Sequence, residues 1–205
     1  MTKLTPSLFF ALFVGFGLGV VTGLPLSVIN TAIVEAATSD RRRFATGLGL
    51  GGGIADTVHA GLAFGGVGRV ITERPEWVRG LTIGAAIVIV VYVVVAWRRR
   101  VAEGGHSEGS NAIPRGIVTG FALTLPNPLA LGAWVAVASA LWPSISLAGA
   151  GAVAVGVGLG SAVIFTLIAR FAASIRPDHP ARRYVPRVAL VVLVGIAVVG
   201  VVRVL

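Results

Sequence analysis

The sequence has no cysteine, and only 12% of its 205 residues are charged. Without cysteine the chain can form neither a disulfide nor a thiolate metal site, and thiol-transfer chemistry is excluded. Soluble domains carry about 25% charged residues, so the shortage of charge argues against a chain that folds in water. Acidic residues are the scarcer kind, with 8 Asp and Glu against 17 Lys and Arg.

Apolar residues are abundant instead and make up 56% of the chain. A helix of about 20 apolar residues is long enough to cross a bilayer, and the chain has several such runs. We therefore predict an all-α integral membrane protein with six transmembrane helices. The predicted spans are Ser7–Ala36, Ala45–Ile71, Val78–Trp97, Ile117–Leu141, Leu147–Phe171 and Val188–Val204.

The basic residues occur in short clusters between the spans, which is a sign of membrane topology and not of nucleic-acid binding. The loops after spans one, three and five carry 12 of the 17 Lys and Arg residues. Positive loops stay in the cytoplasm. We predict a multi-pass protein of the bacterial cytoplasmic (inner) membrane with both termini outside the cytoplasm, and no nucleic-acid partner.

Two similar interruptions lie half a chain apart. Gly15-Phe16 precedes Gly23-Leu24-Pro25-Leu26, and Gly120-Phe121 precedes Leu125-Pro126-Asn127-Pro128-Leu129. Proline inside a helix removes a backbone donor and clashes with the preceding turn. In lipid such a break is tolerated only where the freed groups face protein or a water-filled cavity. Paired breaks indicate a transporter's central binding site, so we predict that helices 1 and 4 are interrupted at prolines.

Each half contains three predicted spans, and an odd number forces two copies of one unit to insert with opposite orientation. We predict an inverted 3+3 repeat in one membrane domain, with residues 1–104 and 116–205 as repeats and 105–115 as a cytoplasmic linker. Small residues four apart allow close helix packing within one chain or between two, which leaves a homodimer open. Such glycines cluster in spans two and five, at Gly47, Gly49, Gly51, Gly52, Gly53, Gly156, Gly158 and Gly160.

Asp56 lies near the middle of span two, where a carboxylate costs about 2.5–3.5 kcal/mol on insertion scales. Gly49, Gly52, Asp56, His59 and Ala63 are spaced three and four apart and share one helix face. We expect this face to point into the bundle. Asp56 is predicted to bind a cationic group or to carry a coupling proton, with His59 tuning it. The alternative is a buried Asp–His pair that only joins helices.

The helix ends after the breaks offer a complementary charge, because free backbone donors and the helix dipole attract anions. A zwitterion fits, with its carboxylate at a helix end and its ammonium group near Asp56. Asn30 and Asn127 add neutral hydrogen-bonding groups, although each can instead satisfy a freed carbonyl. The predicted substrate-binding residues are Pro25, Ser27, Asn30, Asp56, His59, Asn127 and Pro128.

Other chemistry finds less support. Glu35 is predicted to be solvated or paired with Arg41–Arg43 at the cytoplasmic end of span one. If only Asp56 and His59 lie deep, a cation site of several carboxylates or imidazoles is not formed. No metal or other cofactor is therefore predicted, and efflux of a metal or another small cation remains the alternative transport function.

An enzyme is not predicted either. The sequence has no His-Glu-x-x-His segment and no clustered carboxylate pair, which metal-dependent hydrolysis requires. Ser27 with His59 is the sole conceivable nucleophile and base. An intramembrane enzyme and a non-transporting accessory protein are the alternatives from other classes.

Three segments carry a family resemblance that extends over nearly the whole chain. Thr22-Gly23-Leu24-Pro25, Asp56-Thr57-Val58-His59 and Asn127-Pro128-Leu129-Ala130 occupy the order and spacing of three family elements. The chain resembles the lysine exporter (LysE/RhtB) family of bacterial amino-acid exporters. The resemblance implies export of amino acids or related small cations from the cytoplasm, driven by the membrane potential or the proton gradient. We predict alternating access with proton antiport at Asp56 and His59.

Overall fold

The computed structural model describes residues 7–24, 27–101, 108–142, 144–176 and 178–204, and all regular structure in these ranges is helical. This confirms the all-α prediction. The helices are α1 Leu8–Thr22, α2 Val28–Thr38, α3 Arg42–Phe64, α4 Val67–Thr72, α5 Pro75–Val101, α6 Ala112–Thr124, α7 Pro128–Leu141, α8 Leu147–Ala173 and α9 Ala181–Val202.

Three of the described helices, α5, α8 and α9, are long and apolar enough to cross a membrane. A fourth span is obtained if α6 and α7, which are bent by 73°, count as one. The helices α1 and α2 are apolar but each is short. Helix α3 has 23 residues and carries Arg42, Arg43, Asp56 and His59 among its apolar residues and glycines. The structure thus has the composition of a multi-pass membrane protein.

Two predicted boundaries need correction. The run Ala45–Ile71 is not one helix, because α3 ends at Phe64 and the short α4 begins at Val67. Gly66 between them has a φ of 84°, a left-handed conformation that glycine adopts without steric cost. The last helix, α9, begins at Ala181, before the predicted start of its span at Val188.

Glycine faces bring two pairs of helices into close contact. In the first pair, a Cβ atom added at Gly156 of α8 would overlap the carbonyl oxygen of Leu12 in α1. In the second, a Cβ atom added at Gly51 of α3 would overlap the carbonyl oxygen of Ile117 in α6. The predicted close packing of small residues is therefore confirmed. Because these faces pack within one chain, they no longer favour a homodimer.

The three basic loops meet at one end of the bundle. Arg42 donates to the carbonyl of Ala173 (2.7 Å), and Arg182 donates to the Asp40 carboxylate (2.6 Å). Glu108 accepts two backbone N–H groups at the start of α3, at 2.8 and 2.9 Å. These contacts join the connections that follow α2, α5 and α8, and we call this region the basic end.

The opposite end brings together the other helix termini. The Arg79 Nε atom donates to the carbonyl of Val204 (2.9 Å), which joins the start of α5 to the end of α9. The Trp142 ring lies 6.4 Å from the rings of both Phe10 and Phe64. The start of α1 and the ends of α3 and α7 therefore lie side by side.

Candidate functional site

The first interruption lies between Thr22, where α1 ends, and Val28, where α2 begins. Ser27 caps α2 because its Oγ accepts the backbone N–H of Asn30 at 3.3 Å. The Asn30 Nδ2 atom donates to the carbonyl of Gly23 at 2.8 Å. Asn30 thus satisfies a carbonyl at the end of α1, which is one of the two roles predicted for it. Pro25 lies outside the described residues.

The second interruption lies between Thr124, where α6 ends, and Pro128, the first residue of α7. Asn127 caps α7, since its Oδ1 accepts the backbone N–H of Leu129 at 3.1 Å. The carbonyl of Leu125 is bonded to the His59 Nε2 atom of α3 at 2.9 Å. A carbonyl oxygen can only accept, so His59 must carry a proton on Nε2.

The other ring nitrogen of His59 faces Asp56. The Nδ1 atom of His59 is 3.9 Å from the Asp56 Oδ1 atom, too far for a hydrogen bond but close enough for a charge interaction. His59 is 2% exposed and Asp56 is 8% exposed. Within the described chain, neither the Nδ1 atom of His59 nor the Oγ1 atom of Thr124, the last residue of α6, forms a hydrogen bond.

The helix face predicted from sequence is therefore confirmed as a buried one. All of its members lie inside the bundle, namely Gly49, Gly52, Asp56, His59 and Ala63. Because Nε2 of His59 is held by the Leu125 carbonyl, Nδ1 is the nitrogen that faces Asp56. The arrangement joins a titratable pair on α3 directly to the bend between α6 and α7.

A cavity of about 420 Å³ lies beside both interruptions. Val28 at the start of α2 lines it, as do Asn127 and Pro128 at the start of α7. Its remaining walls come mainly from α5 and α9, with Arg203 as the charged group in the described lining. The two restarting helices thus face one cavity. Two of the predicted binding residues, Asn127 and Pro128, line it.

The other predicted binding residues lie elsewhere. Ser27, Asn30, Asp56 and His59 are not among the residues that line this cavity. Sequence reasoning also overlooked Arg203, because a residue at the end of the last apolar run looks like a simple flanking charge. The structure therefore separates the acid–imidazole pair from the cavity at the helix starts.

The helix starts offer an anion fewer donors than predicted. The Ser27 side chain takes one N–H at the start of α2, and the Asn127 side chain takes one at the start of α7. Pro128 has no N–H at all. Capping side chains satisfy the donors that a ligand would otherwise meet.

The comparisons with known proteins give one family. A family model described as LysE type translocator matches residues 20–203. The chain belongs to the LysE type translocator family. No curated protein and no solved structure matches it. As a family member with membrane-spanning helices, the chain is a multi-pass membrane protein of a transporter family and not of an enzyme family.

This translocator has a further buried ionisable group at the basic end. Glu35 of α2 is fully buried and forms an ion pair with Arg41. The hydroxyl groups of Tyr92 and Ser39 also donate to its carboxylate, at 2.7 and 3.1 Å. Pairing with Arg41 is confirmed, and solvation is wrong.

Glu35 is thus a third buried ionisable side chain besides Asp56 and His59, and it lies beside Tyr92 at the basic end. In the sequence, Tyr92 is the single polar residue in a run of valines. That isolated hydroxyl group is the one signal that could have predicted a buried polar partner such as Glu35. Across the described parts of the chain, no group of three or more His, Asp and Glu residues is arranged to hold a metal ion.

Proposed function

We propose that this translocator is a secondary-active exporter of amino acids or related small cations, working by alternating access in the bacterial inner membrane. The observation that carries the proposal is the hydrogen bond from His59 to the Leu125 carbonyl. It connects a pair of titratable side chains to a bend in the chain. Proton binding and helix movement can therefore be linked through one side chain.

The architecture behind this function is six spans in two inverted halves. The helices α1 and α2 form one interrupted span, and α6 and α7 form another, with the prolines causing both breaks. The glycine contacts support the repeat. Helix α1 of the first half packs on α8 of the second, as α6 of the second half packs on α3 of the first.

Coupling follows from the acid beside the imidazole. A deprotonated Asp56 attracts either a proton or the ammonium group of a substrate, so the two compete for one carboxylate in a state of the transport cycle that opens the cavity to this pair. A proton on the Nδ1 atom of His59, 3.9 Å away, neutralises the same charge. Because the Nε2 atom of His59 holds the Leu125 carbonyl, a shift of the ring towards Asp56 pulls on the bend.

The cavity supports the choice of cargo. Its volume of about 420 Å³ falls in the range of small-molecule sites, about 300–1,000 Å³. Its walls are mainly aliphatic, and Arg203 and Asn127 supply a charged and a neutral polar group. An amino acid with an apolar side chain fits, with its carboxylate at Arg203. The cavity extends from the breaks towards the end opposite the basic loops, as in an outward-facing state.

The test of coupling uses proteoliposomes with an imposed pH gradient. The variant Asp56→Asn cannot ionise, so it should lose gradient-driven accumulation and keep part of its substrate exchange. The control Glu73→Gln removes an exposed acid that pairs with Arg69, and it should pump normally. Full pumping by Asp56→Asn would end the proton-coupling mechanism.

The test of cargo is a thermal-shift screen of the purified protein against the common amino acids and the corresponding amines. Wild type should be stabilised by an apolar amino acid and much less by its decarboxylated amine. In Arg203→Gln the affinity for the amino acid relative to its amine should fall about tenfold or more, because a charge-assisted hydrogen bond is lost. Equal responses of both proteins to both ligands would remove Arg203 from the site.

A further inference from the structure

A second and larger cavity, of about 920 Å³, lies between α5 and α6 at the basic end. It shares no lining residue with the cavity beside the interruptions. Ligand binding here is therefore independent of the transport function proposed above. Its lining includes Tyr92 and Arg41, which both contact the Glu35 carboxylate.

The walls of this crevice are aliphatic and open to the surroundings of the bundle. Val91 of α5 is 56% exposed and Val118 of α6 is 69% exposed, and both line the crevice. Exposed valines in membrane helices lie against acyl chains. A ligand that enters here from the bilayer must therefore have an apolar part.

The rim of the crevice is basic. Arg99 and Arg115 line it, and across the described residues neither forms an ion pair. Glu108 also lines the crevice, but its carboxylate is already hydrogen-bonded. Its carboxylate accepts the backbone N–H groups of Arg43 and Phe44, so it already complements the dipole at the start of α3.

We propose that this crevice binds an anionic phospholipid, with its phosphate at Arg99 and Arg115 and an acyl chain along Val91 and Val118. Basic pockets between transmembrane helices on the cytoplasmic side suit anionic head groups. The volume exceeds what a free phosphate fills and suits a head group with the start of its chains. The bound lipid lies over the Arg41 and Tyr92 side chains and bridges the two halves of the chain.

The experiment measures lipid retention by native mass spectrometry and thermal unfolding of the full-length protein in detergent. The ligands are phosphatidylglycerol, phosphatidylcholine and inorganic phosphate. Wild type should retain phosphatidylglycerol and gain several degrees in Tm, and the other two ligands should have little effect. The double variant Arg99→Gln, Arg115→Gln should lose the retention and the Tm gain.

The matched control is Arg98→Gln with Arg187→Gln, which removes two exposed arginines at the same end that do not line the crevice. It should retain the lipid. A separate variant, Val118→Trp, fills the aliphatic wall and should lose retention with both rim arginines intact.

Each opposite result overturns the proposal. Equal loss in the control pair would show attraction by diffuse surface charge. An equal Tm gain with inorganic phosphate would show a free-anion site, and equal retention of phosphatidylcholine would show a crevice without charge recognition. Retention by Val118→Trp would show that no acyl chain lies along this wall.

Discussion

The two interruptions are alike in their local chemistry and differ in what holds them. In each, a side chain caps the restarting helix, Ser27 for α2 and Asn127 for α7. At the first, the carbonyl of Gly23 is satisfied by Asn30 from the helix that follows it. At the second, the carbonyl of Leu125 is satisfied by His59 from α3, in the other half of the chain.

The helices that follow the interruptions differ in the same direction. Nearly every residue of α2 is buried, and Glu35 near its end is paired with Arg41 and Tyr92. Helix α7 is more open, and Leu129 in its first turn is 73% exposed. The described contact at the first interruption is made within its own segment. The contact at the second is made with His59 of α3.

The largest effect is expected for the contacts that hold α2. The variant Arg41→Gln removes the counter-charge of Glu35, which is fully buried. Breaking a buried ion pair from one side costs about 3–5 kcal/mol, and thermal unfolding in detergent measures it. The control Arg69→Gln removes an exposed ion pair and should change Tm little. Equal Tm values for the two variants would show that α2 is not held by this pair.

Next are the glycine contacts, which should be equivalent in the two halves. Gly51→Ala and Gly156→Ala each push a Cβ atom into a carbonyl oxygen of the neighbouring helix. Each should cost about 3 kcal/mol, the upper part of the usual range for overpacking, because backbone cannot rotate away. Thermal unfolding should give similar losses for the two variants.

The controls for these variants are Gly132→Ala and Gly151→Ala, whose added Cβ atoms would meet nothing within 4 Å. They should be neutral or slightly stabilising. If Gly51→Ala were tolerated and Gly156→Ala were not, the equivalence of the two halves would fail.

The hydrogen bonds at the interruptions give a smaller effect and separate the two sites. Asn30→Leu and His59→Leu each leave a buried carbonyl without its donor, at a cost of about 1–3 kcal/mol in unfolding free energy. The variant His59→Gln keeps a donor and should recover part of the loss. The distinguishing measurement is transport as a function of pH. Asn30→Leu should keep the shape of the wild-type profile, and both His59 variants should flatten it.

An unaltered pH profile in His59→Gln would place the proton-sensing group elsewhere. The same profile change in Asn30→Leu would show that the two interruptions act as one unit.

The smallest effect is expected at the helix caps. Ser27→Ala and Asn127→Ala each remove one side-chain acceptor, which costs about 1 kcal/mol. In a chain of this size that is a Tm loss of about 2–4 °C. Ser7→Ala, which removes the same kind of cap from the exposed start of α1, is the matched control. A much larger Tm loss in Asn127→Ala than in Ser27→Ala would show that the second cap also stabilises the bend between α6 and α7.

Much of the fold could be predicted from local patterns. Apolar runs indicated membrane helices, and glycines four apart indicated close packing, which Gly51 and Gly156 confirm. The spacing of Asp56 and His59 placed them correctly on one buried face. The end of α3 was missed because Gly65 and Gly66 resemble the other glycines of that run, and only the left-handed φ of Gly66 marks the boundary.

The site was predicted less completely, because its contacts join residues that are far apart in the sequence. Nothing local pairs His59 with a carbonyl 66 residues away, or places Arg203 beside Asn127 in one cavity. Glu35 looked like a flanking charge because burial depends on the neighbours that α3, α5 and α9 provide.

The sequence by itself determined the membrane environment of this protein, its helices and its family. Hydropathy, helix periodicity and motif spacing are properties of residues that lie close together in the sequence. Tertiary structure alone decided that Asn30 reaches the carbonyl at the first break and that His59 of α3 reaches the carbonyl at the second. Each freed carbonyl needs a donor, and which side chain supplies it depends on how the helices pack, because only packing brings distant groups within hydrogen-bond distance.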